Sequence, residues 1–207
     1  MLFLFGERVH SHSESVGDRQ CPVCKATQPF SRVIETNYFC LFGLRLLPIE
    51  KIANYWRCEN CRNSYIENDL TEPSQLPVVK EVLTYVMLGY GMHDHAELPR
   101  EICSKVTGFE FTPKEVRDLM RELSAGKADI HAMLRSRAPA INTYGKHQII
   151  EAAFLMTHAS CEIQHEDRVR INLMGNSLGV SLEFVEAAIE HVRSQGYYGV
   201  RRLLPTH

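Results

Sequence analysis

The sequence predicts an α+β protein in which a small N-terminal β unit precedes an all-helical bundle. Short runs rich in aromatic and β-branched residues, at residues 32–39 and 52–57, are typical of strands. Beyond residue 70 the apolar residues recur every three or four positions, which is the spacing of amphipathic helices. Residues 67–74 between the two regions are polar and contain Pro73. We therefore expect two domains, residues 1–70 and residues 71–207, joined by this linker.

The composition of the 207-residue chain is that of a globular protein and excludes a disordered one, because 44% of the residues are hydrophobic and 23% are charged. The net charge of −2 gives no electrostatic reason to expect nonspecific binding to nucleic acid or anionic lipid. The apolar start, residues 1–5, is shorter than the core of a secretory signal, and residues 38–49 are too few to span a bilayer. We expect a cytoplasmic protein with no transmembrane segment.

Six or seven helices are expected between residues 75 and 195. Thr112 to Glu115 is a capping box with Pro113 at the first helical position, and Gly126 is the expected C-terminal stop. Ser181 is the expected N-cap of a later helix. The apolar stripes lie at Val79, Val82, Leu83, Val86, Met87 and Tyr90, at Val116, Leu119, Met120 and Leu123, at Ile149, Ala152, Ala153 and Met156, and at Val185, Ala188, Ile189 and Val192.

The helical bundle is expected to consist of two similar halves, because a shift of 69 residues aligns similar residue types. Neither half could bury its apolar face alone, so the two would pack into one bundle. The aligned pairs include Tyr85 with Phe154, Val86 with Leu155, Met87 with Met156, Glu97 with Glu166, Ile102 with Ile171, Thr112 with Ser181 and Val116 with Val185.

Four of the seven cysteines form two Cys-x-x-Cys pairs, Cys21 with Cys24 and Cys58 with Cys61, which are separated by 33 residues. Each such turn directs two sulfurs to one point, and two turns complete the tetrahedral thiolate shell that Zn²⁺ accepts. The alternatives are two unrelated pairs or a redox motif, which would require one pair at a helix start. Four thiolates leave no position for water, so we expect one structural zinc that supplies much of the folding free energy of the β unit.

The surface of the β unit favours a protein partner over nucleic acid. Residues 1–70 contain eight basic and eight acidic residues, whereas a nucleic-acid-binding ribbon usually has an excess of Lys and Arg. The segment from Phe39 to Leu47 has more apolar side chains than a small ribbon can bury, so some are expected to contact the helical domain or a partner. Cys40 in this segment is expected to be a small buried hydrophobe.

Four segments of residues 1–66 carry a family resemblance. They are Phe3-Leu4-Phe5-Gly6, Cys21-Pro22-Val23-Cys24, the apolar run from Tyr38 to Pro48, and Trp56-Arg57-Cys58-Glu59-Asn60-Cys61. Together they resemble the bacterial zinc-ribbon family, whose members begin with a short FxFG strand and carry an aromatic-rich segment between the cysteine pairs. The resemblance implies a zinc ribbon that binds zinc, and it implies no reaction.

A second resemblance covers the helical region, residues 75–195. It rests on Ala159, Ile163, Glu166, Leu178, Gly179 and Ser181, which follow an apolar helix in the order typical of the TerB-like domain. This all-helical family is named for a tellurite-resistance protein, and its acidic turns are proposed metal contacts. The family has an Asp-Gly pair where this chain has Ser160-Cys161, so one acidic ligand of the pattern is replaced.

Two interhelical turns are rich in groups that ligate metals. The first contains His93, Asp94, His95 and Glu97, and the second contains Glu162, His165, Glu166 and Asp167. They suggest a second metal or effector site, and the alternative is a pair of solvated loops in which Glu97 and Glu166 offset helix dipoles. Cys161 lies near His158 and His165, but no oxyanion donor or orienting third group is evident. We therefore expect Cys161 to be a buried structural thiol, and Cys103 to be a core residue.

The patterns favour a non-enzymatic zinc-binding protein that acts through binding another macromolecule. The resemblance to TerB-like domains implies a stress-response adaptor of the tellurite-resistance kind. One alternative is a metal-dependent enzyme or metal sensor that uses the His/Asp/Glu turns. Another is a nucleic-acid-binding regulator that uses the zinc ribbon.

Overall fold

The computed structural model describes residues 5–42, 44–67, 69–126 and 129–203, and within them it is a mixed α+β protein with a four-stranded antiparallel sheet followed by seven α-helices. The predicted α+β class is therefore confirmed. The chain divides into two compact units. The sheet unit comprises residues 1–74 with 139–142, and the helical unit comprises residues 75–138 with 143–207. Phe3 and Leu4 of the predicted N-terminal strand, and Gly43 of the apolar segment, lie outside the described residues.

The sheet is a meander of β1 (Phe5–Cys21), β2 (Ala26–Leu41), β3 (Leu44–Cys58) and β4 (Ser64–Tyr65). The strands are longer than the short runs that the sequence predicts. Most of β1 is polar and exposed, so it carries no alternation of apolar residues that would identify a strand. Its backbone is nevertheless paired with β2 from Phe5 to Cys21, with one irregularity between Ser15 and Gly17.

The register of the strands places the two cysteine-bearing turns at one end of the sheet. Cys21 pairs with Ala26 at the end of the β1–β2 hairpin, and Phe30 pairs with Cys58 near the same end. The β2–β3 turn, where Leu41 pairs with Leu44, lies at the opposite end. We call the part of the sheet from this turn to the level of Lys51 the arm end.

The sheet unit has a small apolar core beside its cysteines. Cys21, Phe30, Cys58 and Tyr65 are buried together, with Trp56 and Leu70 among the partly buried residues that pack on them. A second cluster consists of Val33, Ala53 and Tyr55. Cores of this size do not stabilise a domain alone, and the first of them contains two cysteine sulfurs.

The helical unit contains α1 (Gln75–Gly89), α2 (Glu97–Thr107), α3 (Pro113–Ala125), α4 (Ile130–Arg137), α5 (Thr143–Ser160), α6 (His165–Ser177) and α7 (Leu182–Ser194). α5 is the central helix and contacts α1, α2, α6 and α7. It is buried on all sides, which explains why Glu151 and Gln148 are buried with its apolar residues. α6 and α7 approach closely at Gly175, where a Cβ atom would lie 2.3 Å from Cγ2 of Val185.

The ends of the helices follow the predicted capping signals. α3 begins with the Thr112–Glu115 capping box and ends before Gly126, and the Ser181 hydroxyl accepts the Phe184 N–H at the start of α7. α2 ends before Gly108, whose φ of 75° is the left-handed conformation that favours glycine.

We expect the helical unit to lose stability in acid partly through Glu115. Burial disfavours ionisation of this carboxyl group, but hydrogen bonds from Lys80 and from the hydroxyl and N–H of Thr112 outweigh it and lower its pKa to about 2. A glutamate in an unfolded chain has a pKa of about 4.3. The stabilisation is therefore complete above that pH and is lost as the pH falls toward the folded pKa of about 2.

Solvent screens this interaction, because the Glu115 side chain is 42% exposed, and we expect its contribution to be about 0.5–1 kcal/mol. Thermal unfolding is followed by circular dichroism between about pH 5 and pH 2. As the pH is lowered, the midpoint temperature should fall less steeply in Glu115→Gln than in the wild type. Glu186→Gln on the exposed side of α7 is the control. Identical pH profiles for the wild type and Glu115→Gln would show that this carboxylate does not stabilise the fold.

Candidate metal centre

The two Cys-x-x-Cys turns have the same backbone construction. Cys21 and Cys58 are the last residues of β1 and β3, and each carbonyl accepts the N–H of the residue four positions later, at 2.9 Å. Those later residues, Lys25 and Arg62, have left-handed φ values of 52° and 64°. Each turn therefore reverses the chain immediately after its second cysteine and directs both sulfurs to the same side.

The four sulfur atoms form a compact cluster with the dimensions of a tetrahedral metal site. The Sγ–Sγ distance is 3.7 Å between Cys21 and Cys61 and 3.9 Å between Cys24 and Cys58. All four sulfurs lie within 4.8 Å of one another. Metal–sulfur bonds of about 2.3 Å in a tetrahedron place the sulfurs about 3.8 Å apart, whereas disulfide sulfurs are bonded at about 2.05 Å. The four free cysteines could therefore hold one metal ion.

Hydrogen-bond donors surround the sulfurs. The Tyr65 hydroxyl lies 3.3 Å from Sγ of Cys21, and the Asn60 side-chain amide donates to Sγ of Cys24 at 3.2 Å. The backbone N–H of Cys24 donates to Sγ of Cys21 at 3.5 Å. Donors of this kind stabilise negative charge on metal-bound thiolates and fix the orientation of the ligands.

The surroundings of the thiols also shift their pKa values in opposite directions. Burial disfavours ionisation of Cys21, but hydrogen bonds from Tyr65 and from the N–H groups of Cys24 and Val23 outweigh it and lower its pKa to about 7. Burial raises the pKa of Cys58 to about 12. Burial and the neighbouring Cys21 raise the pKa of Tyr65 above its usual range, so its hydroxyl remains a donor. A bound metal would supply the positive charge that four close thiolates require.

The donor set decides what such a metal could do. Among the described residues, the cluster comprises four cysteines and no His, Asp or Glu. Four sulfur ligands complete a tetrahedral shell and leave no position for water or substrate. The arrangement suits a structural ion.

The residues of the predicted second site lie in the turns between α1 and α2 and between α5 and α6, or at the start of the following helix. Nδ1 of His95 lies 3.3 Å from Oε1 of Glu97, and both side chains are well exposed. His93, Asp94, Glu162, His165 and Glu166 are also exposed. In the part of the chain that the structure describes, no three of these residues form a cluster with the compactness of the four cysteines. The second site stays a prediction.

Unlike the other acidic residues of the second group, Asp167 is buried. Asp167 accepts hydrogen bonds from the Tyr90 hydroxyl and from the N–H of Gln164, and Arg170 lies 3.8 Å away. The half-buried Cys161 donates to the same carboxylate at 3.7 Å, and burial raises the pKa of this thiol. Cys40 and Cys103 are buried.

Comparison with protein-family models, with curated protein sequences and with solved structures gives no match to this chain. Among the described residues, none of the helices has the length and hydropathy needed to cross a membrane.

Proposed function

We propose that the sheet unit is a zinc ribbon in which Cys21, Cys24, Cys58 and Cys61 hold one structural zinc ion. The observation that carries this proposal is the cluster of four sulfurs within 4.8 Å of one another, built by two turns of the same construction. An all-sulfur tetrahedral set favours zinc among abundant divalent ions. The resemblance of residues 1–66 to the bacterial zinc-ribbon family supports the same assignment.

We further propose that the helical unit is a TerB-like bundle of two similar halves. α5, α6 and α7 begin at Thr143, His165 and Leu182, close to 69 residues after the starts of α1, α2 and α3. Left-handed glycines, Gly108 and Gly179, follow α2 and α6, and Thr112 and Ser181 cap the next helices. The Ser160-Cys161 pair in place of Asp-Gly argues against transferring the metal contacts of that family to this chain.

The function that these features support best is non-enzymatic binding of another protein through the arm end. Six large apolar side chains at this end are 49–70% exposed. They are Val9, Phe42, Leu44, Leu46, Leu47 and Ile49. Every residue from Leu44 to Lys51 is exposed, with no alternation of buried and exposed positions, so both faces of β3 are exposed in this segment. Contiguous exposed apolar surface of this kind marks interaction sites.

Charges at the arm end favour a protein partner. Glu7 and Glu50 lie among Arg8, Arg45 and Lys51, so both signs surround the apolar side chains. An apolar centre with a rim of mixed charge is typical of protein–protein interfaces. Nucleic acid and anionic lipid would require an excess of cations. The resemblance to TerB-like domains favours a partner in a stress response, and the closed metal centre argues against a metal-dependent enzyme at the cysteine cluster.

Site-specific photo-crosslinking tests this proposal in the full chain. A photoreactive phenylalanine in place of Phe42 is expected to form an adduct with one defined protein, whereas the same residue in place of Leu173 in α6 should not. The purified partner should bind the wild type at least about tenfold more tightly than Leu44→Ser/Leu47→Ser. That variant should keep its zinc, and Leu173→Ser/Leu182→Ser, at exposed positions of the helical unit, should keep its affinity. Adducts only with lipid, with nucleic acid or with a second copy of the chain would contradict the proposal.

A further inference from the structure

The helical unit contains a buried carboxylate that lines a cavity, and the proposed zinc and arm-end functions do not use it. Glu151 in α5 is 4% exposed, and it lines an open cavity of about 610 Å³. A cavity of this size is within the range that binds small organic ligands. A carboxylate removed from water needs compensation by a cation or by hydrogen bonds.

Three side chains from separate parts of the helical unit converge on one oxygen of this carboxylate. The Tyr198 hydroxyl donates to Oε1 at 3.0 Å. Nδ1 of His147 and Nε2 of His191 lie 3.5 Å and 3.7 Å from the same oxygen, which is longer than an ordinary N–H···O hydrogen bond. Lys and Arg are absent from the described residues that line the cavity. The neighbouring Lys105 is bound to Glu101 and to the Tyr198 carbonyl.

Aromatic side chains make up much of the lining of the same cavity. The distance between ring centroids is 5.8 Å for His147 and Phe184 and 5.5 Å for His147 and His191. It is 6.4 Å for His191 and Tyr198. Tyr144, which is 54% exposed, lines the same cavity. The negative faces of aromatic rings attract cations, and aromatic cages are a common means of recognising alkylated ammonium groups.

The backbone that presents Tyr198 is held in an unfavourable conformation. The four residues Gly196–Gly199 all have left-handed φ values, which include 55° for Tyr197 and 52° for Tyr198. Residues with a Cβ atom adopt this region at a cost, and such conformations concentrate at ligand sites. Tyr197 is fixed by stacking on His158 at 4.0 Å, and Tyr198 by its hydroxyl and carbonyl contacts.

We propose that this cavity binds an organic ammonium cation, with the charged nitrogen near Glu151 and its alkyl groups against the rings of Tyr144 and Phe184. The carboxylate supplies the charge, the rings supply cation–π attraction, and the volume admits more than a single ion. A metal ion fits less well. In the described part of the chain, only the cysteine cluster has three or more ligand atoms within 4.8 Å of one another, so the two imidazoles and Glu151 do not meet that limit.

The buried Asp167 shows that a carboxylate beside a cavity does not by itself make such a site. It borders a different cavity, of about 320 Å³, that Tyr85 and Tyr90 also line. There the carboxylate has Arg170 at 3.8 Å and hydrogen bonds from Tyr90 and Gln164. The guanidinium of Arg170 is always charged, so it offsets the charge of this carboxylate, whereas no Lys or Arg is among the described residues that line the cavity of Glu151. This second cavity therefore provides the matched control.

The test uses the zinc-loaded full chain in mildly alkaline buffer. Choline is titrated and compared with its uncharged carbon analogue, which has a tert-butyl group in place of the trimethylammonium group. We expect saturable choline binding by calorimetry that is at least about tenfold tighter than binding of the analogue. Glu151→Gln should remove this preference, Phe184→Leu and Tyr144→Leu should each weaken choline binding by about three- to tenfold, and Tyr85→Leu should not change it.

If Glu151→Gln fails to fold, Tyr144→Leu and Phe184→Leu still test the proposal. Tyr144 is exposed and Phe184 is only partly buried, so we expect both variants to fold. Equal affinity for choline and its neutral analogue would overturn the proposal. So would the absence of saturable choline binding up to tens of millimolar, or choline binding that Phe184→Leu and Tyr144→Leu leave intact. A second zinc equivalent that is lost in both His147→Ala and His191→Ala would show a metal site instead.

Discussion

Replacing Cys58 with serine is expected to abolish tight zinc binding and to unfold the sheet unit while the helices remain folded. Cys58 is fully buried, and its sulfur belongs both to the four-sulfur cluster and to the small core with Phe30 and Tyr65. Structural zinc sites contribute about 10–16 kcal/mol of apparent binding free energy, so losing one ligand removes more stability than such a core supplies. Elemental analysis and amide hydrogen exchange along β1, β2 and β3 measure the two effects.

Cys40→Ser is the matched control for this prediction, because it makes the same chemical change at another buried cysteine of the sheet unit. The Cys40 sulfur contacts the Tyr38 carbonyl at 3.7 Å and lies outside the four-sulfur cluster. This variant should keep one zinc and the protection of the strands near the metal. Full zinc content in Cys58→Ser, or equal loss of zinc from both variants, would contradict the assignment of Cys58 as a zinc ligand.

Leu155→Ala is expected to destabilise the helical unit by about 2–5 kcal/mol. Leu155 lies in the middle of α5 and is fully buried in the helix that contacts α1, α2, α6 and α7. Truncation removes apolar contacts on a central helix whose neighbours cannot collapse into the space without disturbing several interfaces at once. Urea unfolding followed by helical circular dichroism should show a lower midpoint with an unchanged slope.

The control for this substitution is Leu173→Ala in α6, because the Leu173 side chain is 49% exposed. It should cost less than about 1 kcal/mol, since little apolar surface is removed from water at that position in the folded state. Equal destabilisation by the two variants would contradict the placement of α5 at the centre of the bundle.

The parts of the structure that the sequence predicts are those with local determinants. The capping box of Thr112 and Glu115 lies within four consecutive residues, and each cysteine pair lies within one turn. Helix stripes follow from periodicity, and so Val116 and Val185 are buried as expected. The resemblance implies only a short strand at residues 3–6, and the rest of β1 was not predicted. Both faces of β1 are largely exposed, which removes the alternation that identifies a half-buried strand.

The cavity of Glu151 could not be predicted because its groups come from distant parts of the chain. His147 and Glu151 are four residues apart on one helix, whereas His191 and Tyr198 join them only through the packing of α7 and the turn that follows. That turn places tyrosines in a conformation that sequence statistics assign to glycine. The need for glycine at position 175 could not be predicted either, because the close approach of Val185 depends on how α6 and α7 pack.

X-ray absorption spectroscopy at the zinc edge of the purified full chain tests the central claim most directly. We expect one zinc per chain with four sulfur neighbours at about 2.3 Å and no nitrogen or oxygen neighbour in the first coordination sphere. A chain without zinc, or a zinc with nitrogen or oxygen ligands, would contradict it.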